Sequence, residues 1–393
     1  MSSTWTASVS DVRLKKDLGR VVRAGHPWVY RDALERFRSK PGEVVSVYDR
    51  EGRFVGRGVA DAGPIAVRIW TTKKEPIDAA FVRRRVTAAI RLRERTMPPR
   101  TDAIRLIHGE GDRLGGIVCD RYGDVGVLRI DGAAGLAWRD AVVDALMSEA
   151  RLEGLMIKTG RRGSVKVEVA RGDVPDEPIE VMEHGMQMLV DVHRGQKTGL
   201  FLDHRESRRM TRRVAEGMRV LNLYGYTGGF SIAAGLGGAR QVETVDVAEG
   251  ALQFARRGWA MNGLAPGLHE THAADVPRFL EKARADKRTW DFIVSDPPSF
   301  APKKDARHAA IKAYRKLHLS CLKMLSDNGL FLAASCSSQV GRDAFEQTIR
   351  EAAGKARVVL QVIGRWGAAP DHPRILGFPE GDYLKVVLCR LTR

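Results

Sequence analysis

From Arg219 onward, short β-branched and aliphatic runs alternate with amphipathic stretches, and this alternation restricts the fold more than any other feature of the chain. Strand then helix, repeated, is the pattern of a parallel, doubly wound sheet covered by helices on both faces. The runs that read as strands are Arg219 to Leu223, Gln241 to Asp246, His269 to Ala273, Trp290 to Ser295, Leu330 to Ala334, Val358 to Gly364 and Tyr383 to Cys389. A long helix is expected from Ala306 to Asp327, with Gly329 ending it before the next strand.

In an open sheet of this kind ligands bind at the carboxyl ends of the strands. The first strand runs into Asn222-Leu-Tyr-Gly-Tyr-Thr-Gly-Gly229, which puts glycines where backbone must come close to a ligand; plain tight packing is an equal reading of that turn alone. Asp246 ends the second strand, 24 residues after Asn222, where a carboxylate can bind the two hydroxyls of a ribose. The spacing is not GxGxxG and no Walker Lys-Ser/Thr follows, so an adenosine without a polyphosphate fits better than ATP or NAD. The candidate cofactor-binding residues here are Asn222, Tyr224, Tyr226, Thr227, Gly228, Asp246 and Val247. Asp275 is placed either to reach the adenine amine or to cap a helix.

The fourth strand ends in Ser295-Asp296-Pro297-Pro298-Ser299-Phe300, a rigid, non-helical corner with a carboxylate, and Asp296 and Pro297 join the candidate site. The fifth ends in Ala334-Ser335-Cys336-Ser337-Ser338. Neighbouring strands would set Asp296 and Cys336 about 5 Å apart by backbone. A thiolate adding to carbon 6 of a pyrimidine makes carbon 5 nucleophilic enough to attack a methyl sulfonium, while a carboxyl group serves the ring nitrogen. Cys336 and Asp296 are therefore the candidate catalytic residues. The base that removes the carbon-5 proton is not identified, and by placement alone Cys336 reads equally as one more buried cysteine.

The N-terminal part is organised differently. Val44 to Tyr48, a run from Arg53 and the stretch IAVRIW read as strands, Ile77 to Arg95 as a basic helix stopped by Pro98 and Pro99, and residues 103–192 as a compact α+β segment. The expected division is residues 1–75, 76–192 and 193–393. A net charge of +17 favours a polyanionic partner, although an arginine-rich composition also produces merely solvated faces. Arginines crowd two helices, Arg83, Arg84, Arg85, Arg91, Arg93 and Arg95 in one and Arg205, Arg208, Arg209, Arg212 and Arg213 in the other. Of these, Arg83, Arg84, Arg85, Arg205, Arg208 and Arg209 are taken as RNA-binding candidates. Cys119, Cys321, Cys336 and Cys389 show no CxxC or Cys/His spacing, so neither a disulfide framework nor a metal site is expected. With no apolar run of about 18 residues and no signal-peptide pattern, a cytoplasmic protein without membrane contact is expected.

At these residues the sequence resembles the bacterial 23S rRNA large-subunit cytosine-5 methyltransferases of the RlmI type over nearly the whole chain. The resemblance runs through GHPWVY at 25–30, GEGDRLGGIVCDRYGD at 109–124, DVHRGQKTGLFLDHR at 191–205, NLYGYTGGF at 222–230, DPPSF at 296–300, SCSS at 335–338 and DHPRILGFPEGDYLK at 371–385. It implies a PUA-like N-terminal domain, a small α+β middle domain, a C-terminal Rossmann-like methyltransferase domain and S-adenosyl-L-methionine as cofactor. It further implies ribosomal RNA, in the large subunit or its assembly intermediate, as partner, and it leaves a homodimer open. Lys197, Thr198, Gly199 and Phe201 would belong to a hairpin bordering cofactor and substrate, and Cys336 matches the nucleophile. One departure is GDRLGG where GDxLPG is usual, a turn adjustment at Gly115. Relatives with the same Asp-Pro-Pro corner but no cysteine on the next strand methylate guanines, so Cys336 tilts the reading to cytosine. An RNA amino-group methyltransferase and an RNA-binding assembly factor that retains the fold are the competing readings.

Overall fold

The computed structural model describes residues 9–160, 165–301 and 304–392. Its contacts divide the chain into two compact units, the first comprising Met1–Val181, Val190–Leu202 and Pro370–Gly381, the second Met182–Leu189, Asp203–Ala369 and Asp382–Arg393. The expected segment 1–75 and most of 76–192 thus fall in one compact unit, together with 193–202 and 370–381 of the third, while 182–189 belong to the second.

In the first unit, β1 (Ser10–Arg13), β2 (Trp28–Tyr30), β3 (Val44–Tyr48), β4 (Phe54–Ala60) and β5 (Ile65–Thr71) form a sheet in the order β1-β3-β4-β5-β2, with α1 (Gly19–Arg23) beside it. The two outer strands were absent from the sequence reading because three or four residues cannot display an alternation. The second sheet, β10-β9-β8-β7-β6, is built from β6 (Ala103–His108), β7 (Ile117–Tyr122), β8 (Val125–Ile130), β9 (Gly154–Thr159) and β10 (Lys166–Gly172). Helices α2 (Ala79–Thr96), α3 (Gly132–Ala137) and α4 (Arg139–Ala150) complete the unit. Asp78 caps α2 by accepting the Phe81 amide at 2.7 Å, and Phe81, Val82, Val86 and Ala89 bury its inner face. The GHPWVY motif locks locally. Trp28 donates its indole N–H to Glu110 at 2.9 Å and meets Phe378 edge-on at 4.6 Å.

A short hairpin follows, β11 (Ile179–Glu183) and β12 (Met186–Val190), and then the seven-stranded sheet of the second unit. Its strands are β13 (Arg219–Leu223), β14 (Gln241–Asp246), β15 (His269–Ala273), β16 (Trp290–Ser295), β17 (Leu325–Ser335), β18 (Val359–Trp366) and β19 (Lys385–Thr392), in the order β15-β14-β13-β16-β17-β19-β18. The first five are parallel, as expected; β19 runs antiparallel between β17 and β18. Helices α5 (Arg205–Val214), α6 (Gly229–Leu236) and α7 (Glu249–Met261) cover one face, and α8 (Val276–Ala285), α9 (Arg307–Lys323) and α10 (Arg342–Ala356) the other. Chain order reverses between β13 and β16, which opens the sheet at the carboxyl ends of those strands.

The expected helix from Ala306 to Asp327 ends earlier, at Lys323, and Gly329 is not its terminator. Leu325 already pairs with Trp290, and the register then jumps so that Leu330 pairs with Phe292. The residues between form a bulge in which Asn328 takes a left-handed φ of 60°. Among the described residues no helix is long and apolar enough to cross a membrane.

Candidate active site

The turn after β13 is shaped by its main chain. Tyr224 and Tyr226 hold left-handed φ values of 59° and 48°, and Gly228 one of 76°. Non-glycine residues pay for that conformation, and such strain collects where a backbone must present itself to a ligand. A Cβ at Gly225 would stand 2.4 Å from the Thr244 side chain, so only glycine fits there. The Gly225 amide donates to Val245 O (3.0 Å), and the Tyr226 amide to Asp246 Oδ2 (2.9 Å). Asp246 Oδ1 accepts from the Ala248 amide at 2.9 Å, so the carboxylate at the tip of β14 is fixed by backbone on both sides. Asn222 is buried and donates through Nδ2 to Ser231 (2.9 Å), while its Oδ1 has no hydrogen-bond partner among the described residues. Val247 is widely exposed, and Asp275 caps α8 by accepting the Arg278 amide at 3.3 Å.

The tips of β16 and β17 are joined by side chains instead. The register aligns Ser295 with Ala333, which brings the Asp296 corner beside the Cys336 loop. Ser337 clamps the two loops: its hydroxyl accepts the Phe300 amide at 3.1 Å, and Tyr314 from α9 bridges the Ser335 and Ser337 hydroxyls at 2.8 and 2.9 Å. Cys336 is half-buried, whereas Cys119, Cys321 and Cys389 are buried. Burial drives the thiols of Cys321 and Cys389 up to about 12 and that of Cys119 higher still, which makes them inert.

Two residues of this region escaped the sequence reading although the motifs at 191–205 and 371–385 contain them. His204 is buried, with Nε2 3.1 Å from Asp296 Oδ2 and Nδ1 3.2 Å from the Ser207 hydroxyl. Burial disfavours its charge, but the Asp296 carboxylate, by its field and its hydrogen bond, and Asp203 outweigh this and raise its pKa. Lys385, the first residue of β19, is buried opposite Ser335. Its Nζ donates to Ser337 O at 2.7 Å and to Tyr383 O at 2.8 Å.

Lys197, Thr198, Gly199 and Phe201 belong to the first unit. There Thr198 is buried and donates to Asp120 at 2.5 Å, Tyr122 accepts the Leu200 amide at 2.9 Å, Gly199 sits at φ 148°, and Lys197 lies 4.9 Å from the centroid of the Phe201 ring. The GEGDRLGGIVCDRYGD motif thereby fixes the Lys-Thr-Gly turn.

The arginine clusters need correction. Arg205 and Arg208 are buried: Arg208 makes a two-pronged pair with Glu183 at 2.6 and 2.7 Å, and Arg205 flanks the same carboxylate at 3.8 Å. Both hold α5 to the β11–β12 hairpin and present no charge to a phosphate. Arg93 is likewise buried against Asp112, and Arg85 is half-buried, donating to Trp70 O at 3.3 Å. Arg83, Arg84, Arg91, Arg95 and Arg209 are exposed. Among the described residues Glu243, Glu270 and His272 bring ligand-type atoms within 4.8 Å of one another, but Arg288, Trp290 and His272 already donate to Glu243.

The profile of the S-adenosylmethionine-dependent methyltransferases matches residues 147–385, and that of the PUA-like domain residues 12–72. Fold and match together define the class, and S-adenosylmethionine is its cofactor. Proteins called Ribosomal RNA large subunit methyltransferase I from Erwinia tasmaniensis and Shewanella amazonensis are 35% and 36% identical to this chain. The alignments cover 93% and 97% of this chain and 95% and 99% of theirs. The chain belongs to this methyltransferase I family. A structure described as a SAM-dependent methyltransferase from Streptococcus mutans superposes with a TM-score of 0.87 at 25% identity, covering 97% of this chain and all of the other. SMU.776, complexed with SAH, gives 0.86 at 25% identity, covering 97% of this chain and 99% of the other. The residues present fit the cofactor: the Asn222 carbonyl is a buried acceptor awaiting a donor, the turn admits no Cβ at Gly225, and Asp246 offers a carboxylate at a strand tip.

Proposed function

We propose that this protein methylates carbon 5 of a cytosine in large-subunit ribosomal RNA, with Cys336 as nucleophile and Asp296 beside it. The carrying observation is the pairing of an Asp-Pro-Pro corner with a half-buried cysteine on adjacent parallel strands, and the names of the relatives support the choice of RNA. In this reading Asn222, the Tyr224 to Gly228 turn, Asp246, Val247, Asp275 and Pro297 hold S-adenosylmethionine, which when bound supplies an electrophilic methyl group. The Cys336 thiolate forms a bond to carbon 6, the electrons of the 5,6 double bond take the methyl group at carbon 5, and loss of the carbon-5 proton to a base returns those electrons and expels the thiolate. Asp296, held by His204, faces the polar edge of the ring. The PUA-like domain and the exposed Arg83, Arg84 and Arg209 grip phosphates and carry the salt dependence of binding. The target base leaves its stack, so a loop or bulge, in free rRNA or an assembling subunit in the cytoplasm, is the natural substrate.

RNA containing 5-fluorocytosine tests this. Carbon 5 then has no proton to lose, and the protein should accumulate as a covalent RNA adduct that survives a denaturing gel. Ordinary RNA should gain bisulfite-resistant cytosines. N-methylated purines without an adduct would establish the amino-group reading, and cofactor binding without transfer to any rRNA would leave an assembly factor.

A further inference from the structure

We infer that Lys385 acts through Cys336, as the fixed counter-cation that makes its thiolate available near neutral pH. This rests on the reading of Cys336 as the reacting thiol and deepens it.

A buried ammonium is ordinarily matched by a carboxylate, because leaving water without a partner charge is costly. Lys385 departs from that rule. Its side chain is almost wholly buried, yet among the described residues its only hydrogen-bond partners are two neutral carbonyls, and no carboxylate lies within ion-pair distance. Those two bonds leave one N–H uncommitted. They also fix where the charge sits, because β19 pairs Lys385 with Ser335, and its Nζ grips the carbonyl of Ser337. The residue between those two is Cys336. The Lys385 main chain is thus paired with the residue before the thiol, and its ammonium is pinned to the carbonyl of the residue after it.

Among the described residues, Asp296, Tyr314 and Asp382 also stand around the pair, and none of them is a cation. Asp296 from the β16 corner opposes a second negative charge nearby, and it already faces His204. Tyr314 from α9 is a neutral hydroxyl engaged with Ser335 and Ser337. Asp382 faces Arg342 from α10 at 3.6 Å, so these two largely offset one another. Burial pulls the Lys385 amine down to about 8, while Cys336 and Asp382 pull it upward, so near neutral pH it still carries a proton. An opposite charge within ~4 to 6 Å lowers the pKa of an acid by about 1 to 3 units.

The test is the pH dependence of iodoacetamide alkylation of Cys336 in the intact protein, followed by peptide mass. In that reaction the sulfur–carbon bond forms as carbon–iodine breaks, the thiol proton goes to solvent and iodide leaves. The three buried cysteines should stay unlabelled. In the wild type the midpoint should lie below the ~8.5 of a free thiol. Lys385→Met should raise it by about 1 to 3 units, and Lys385→Arg, which keeps the charge but cannot accept a proton, should restore most of the shift. A wild-type midpoint at or above ~8.5 overturns the inference without any variant, so a Lys385→Met protein that fails to fold does not rescue it. An unchanged midpoint in folded Lys385→Met overturns it too, as does a variant with a normal thiolate that stalls as an adduct on ordinary RNA, since that would make Lys385 the proton acceptor. Failure of the 5-fluorocytosine adduct alongside a low, Lys385-dependent midpoint would reject the cytosine reading and leave the thiol–ammonium pair standing.

Discussion

The tips of β13 and β14 and the tips of β16 and β17 line the same edge of one sheet, but they are made from different materials. The first pair is built from main chain, with left-handed tyrosines, a glycine pressed against Thr244, and a carboxylate held by two amides. The second pair is built from side chains, with a hydroxyl clamp at Ser337, a buried lysine and a histidine–aspartate pair. A group that only holds a cofactor must be rigid and of the right shape, which backbone provides whatever most side chains are. A group that moves protons and electron pairs must be tuned in charge, which needs side chains. Holding and reacting should therefore fail separately.

The largest separation is expected at Cys336. In Cys336→Ala methyl transfer and adduct formation should both disappear, while S-adenosylmethionine still binds, because the β13–β14 turn is held by its own amides, the Gly225 amide on Val245 O and the Tyr226 and Ala248 amides on Asp246. Alanine at Cys119, Cys321 or Cys389 should leave the adduct intact. Turnover by Cys336→Ala would reject the covalent mechanism and shift the chemistry to the Asp296 corner alone.

Asp246→Ala should do the converse on a smaller scale. Removing an acceptor from paired hydroxyls costs about 1 to 3 kcal/mol, or roughly 5- to 150-fold in cofactor affinity. The pH midpoint for alkylation of Cys336 should not move. If affinity is unchanged in the folded variant, the ribose assignment fails; if the thiol midpoint moves, the two pairs of tips are not independent.

The same contrast explains what could be read from the sequence. Backbone features leave local marks, so the strand-to-helix alternation, the glycine-rich turn and the acid 24 residues on were legible. Cys336 and Asp296 were legible because a strand's last residues announce their own position. The direction of β19 was not, since an apolar run reads the same for a parallel or an antiparallel neighbour. Lys385 and His204 reach the corner from the last strand and from the residue before α5, and a single polar residue carries no periodicity. Helix α5 misled for a related reason. Its buried positions include Arg205, Ser207, Arg208 and Thr211, so no apolar stripe marks the inner face, and counting arginines could not separate Arg208 from the exposed Arg209.

The smallest effect expected is a dependence of stability on pH that belongs to the side-chain-built tips. His204 binds its proton more tightly in the folded protein than the ordinary histidine value of 6.5, because the pull of Asp296 and Asp203 exceeds the burial penalty. A raised folded-state pKa stabilises the protein fully below the unfolded value, and that contribution is lost as pH rises through the folded value. His204→Gln keeps a hydrogen-bonding group near Asp296 but has no proton to lose. The gap in thermal midpoint between wild type and His204→Gln should therefore be widest below about pH 6.5 and should narrow steadily on the alkaline side. In an Asp246→Asn background the gap and its pH dependence should be unaltered, since that carboxylate is tied to amides of its own turn. A gap that stays constant from acid to alkaline pH would mean that His204 contributes only its packing against Phe230, 5.4 Å away between ring centroids, and its contact with Ser207, and that the charge on the imidazole does not hold the Asp296 corner.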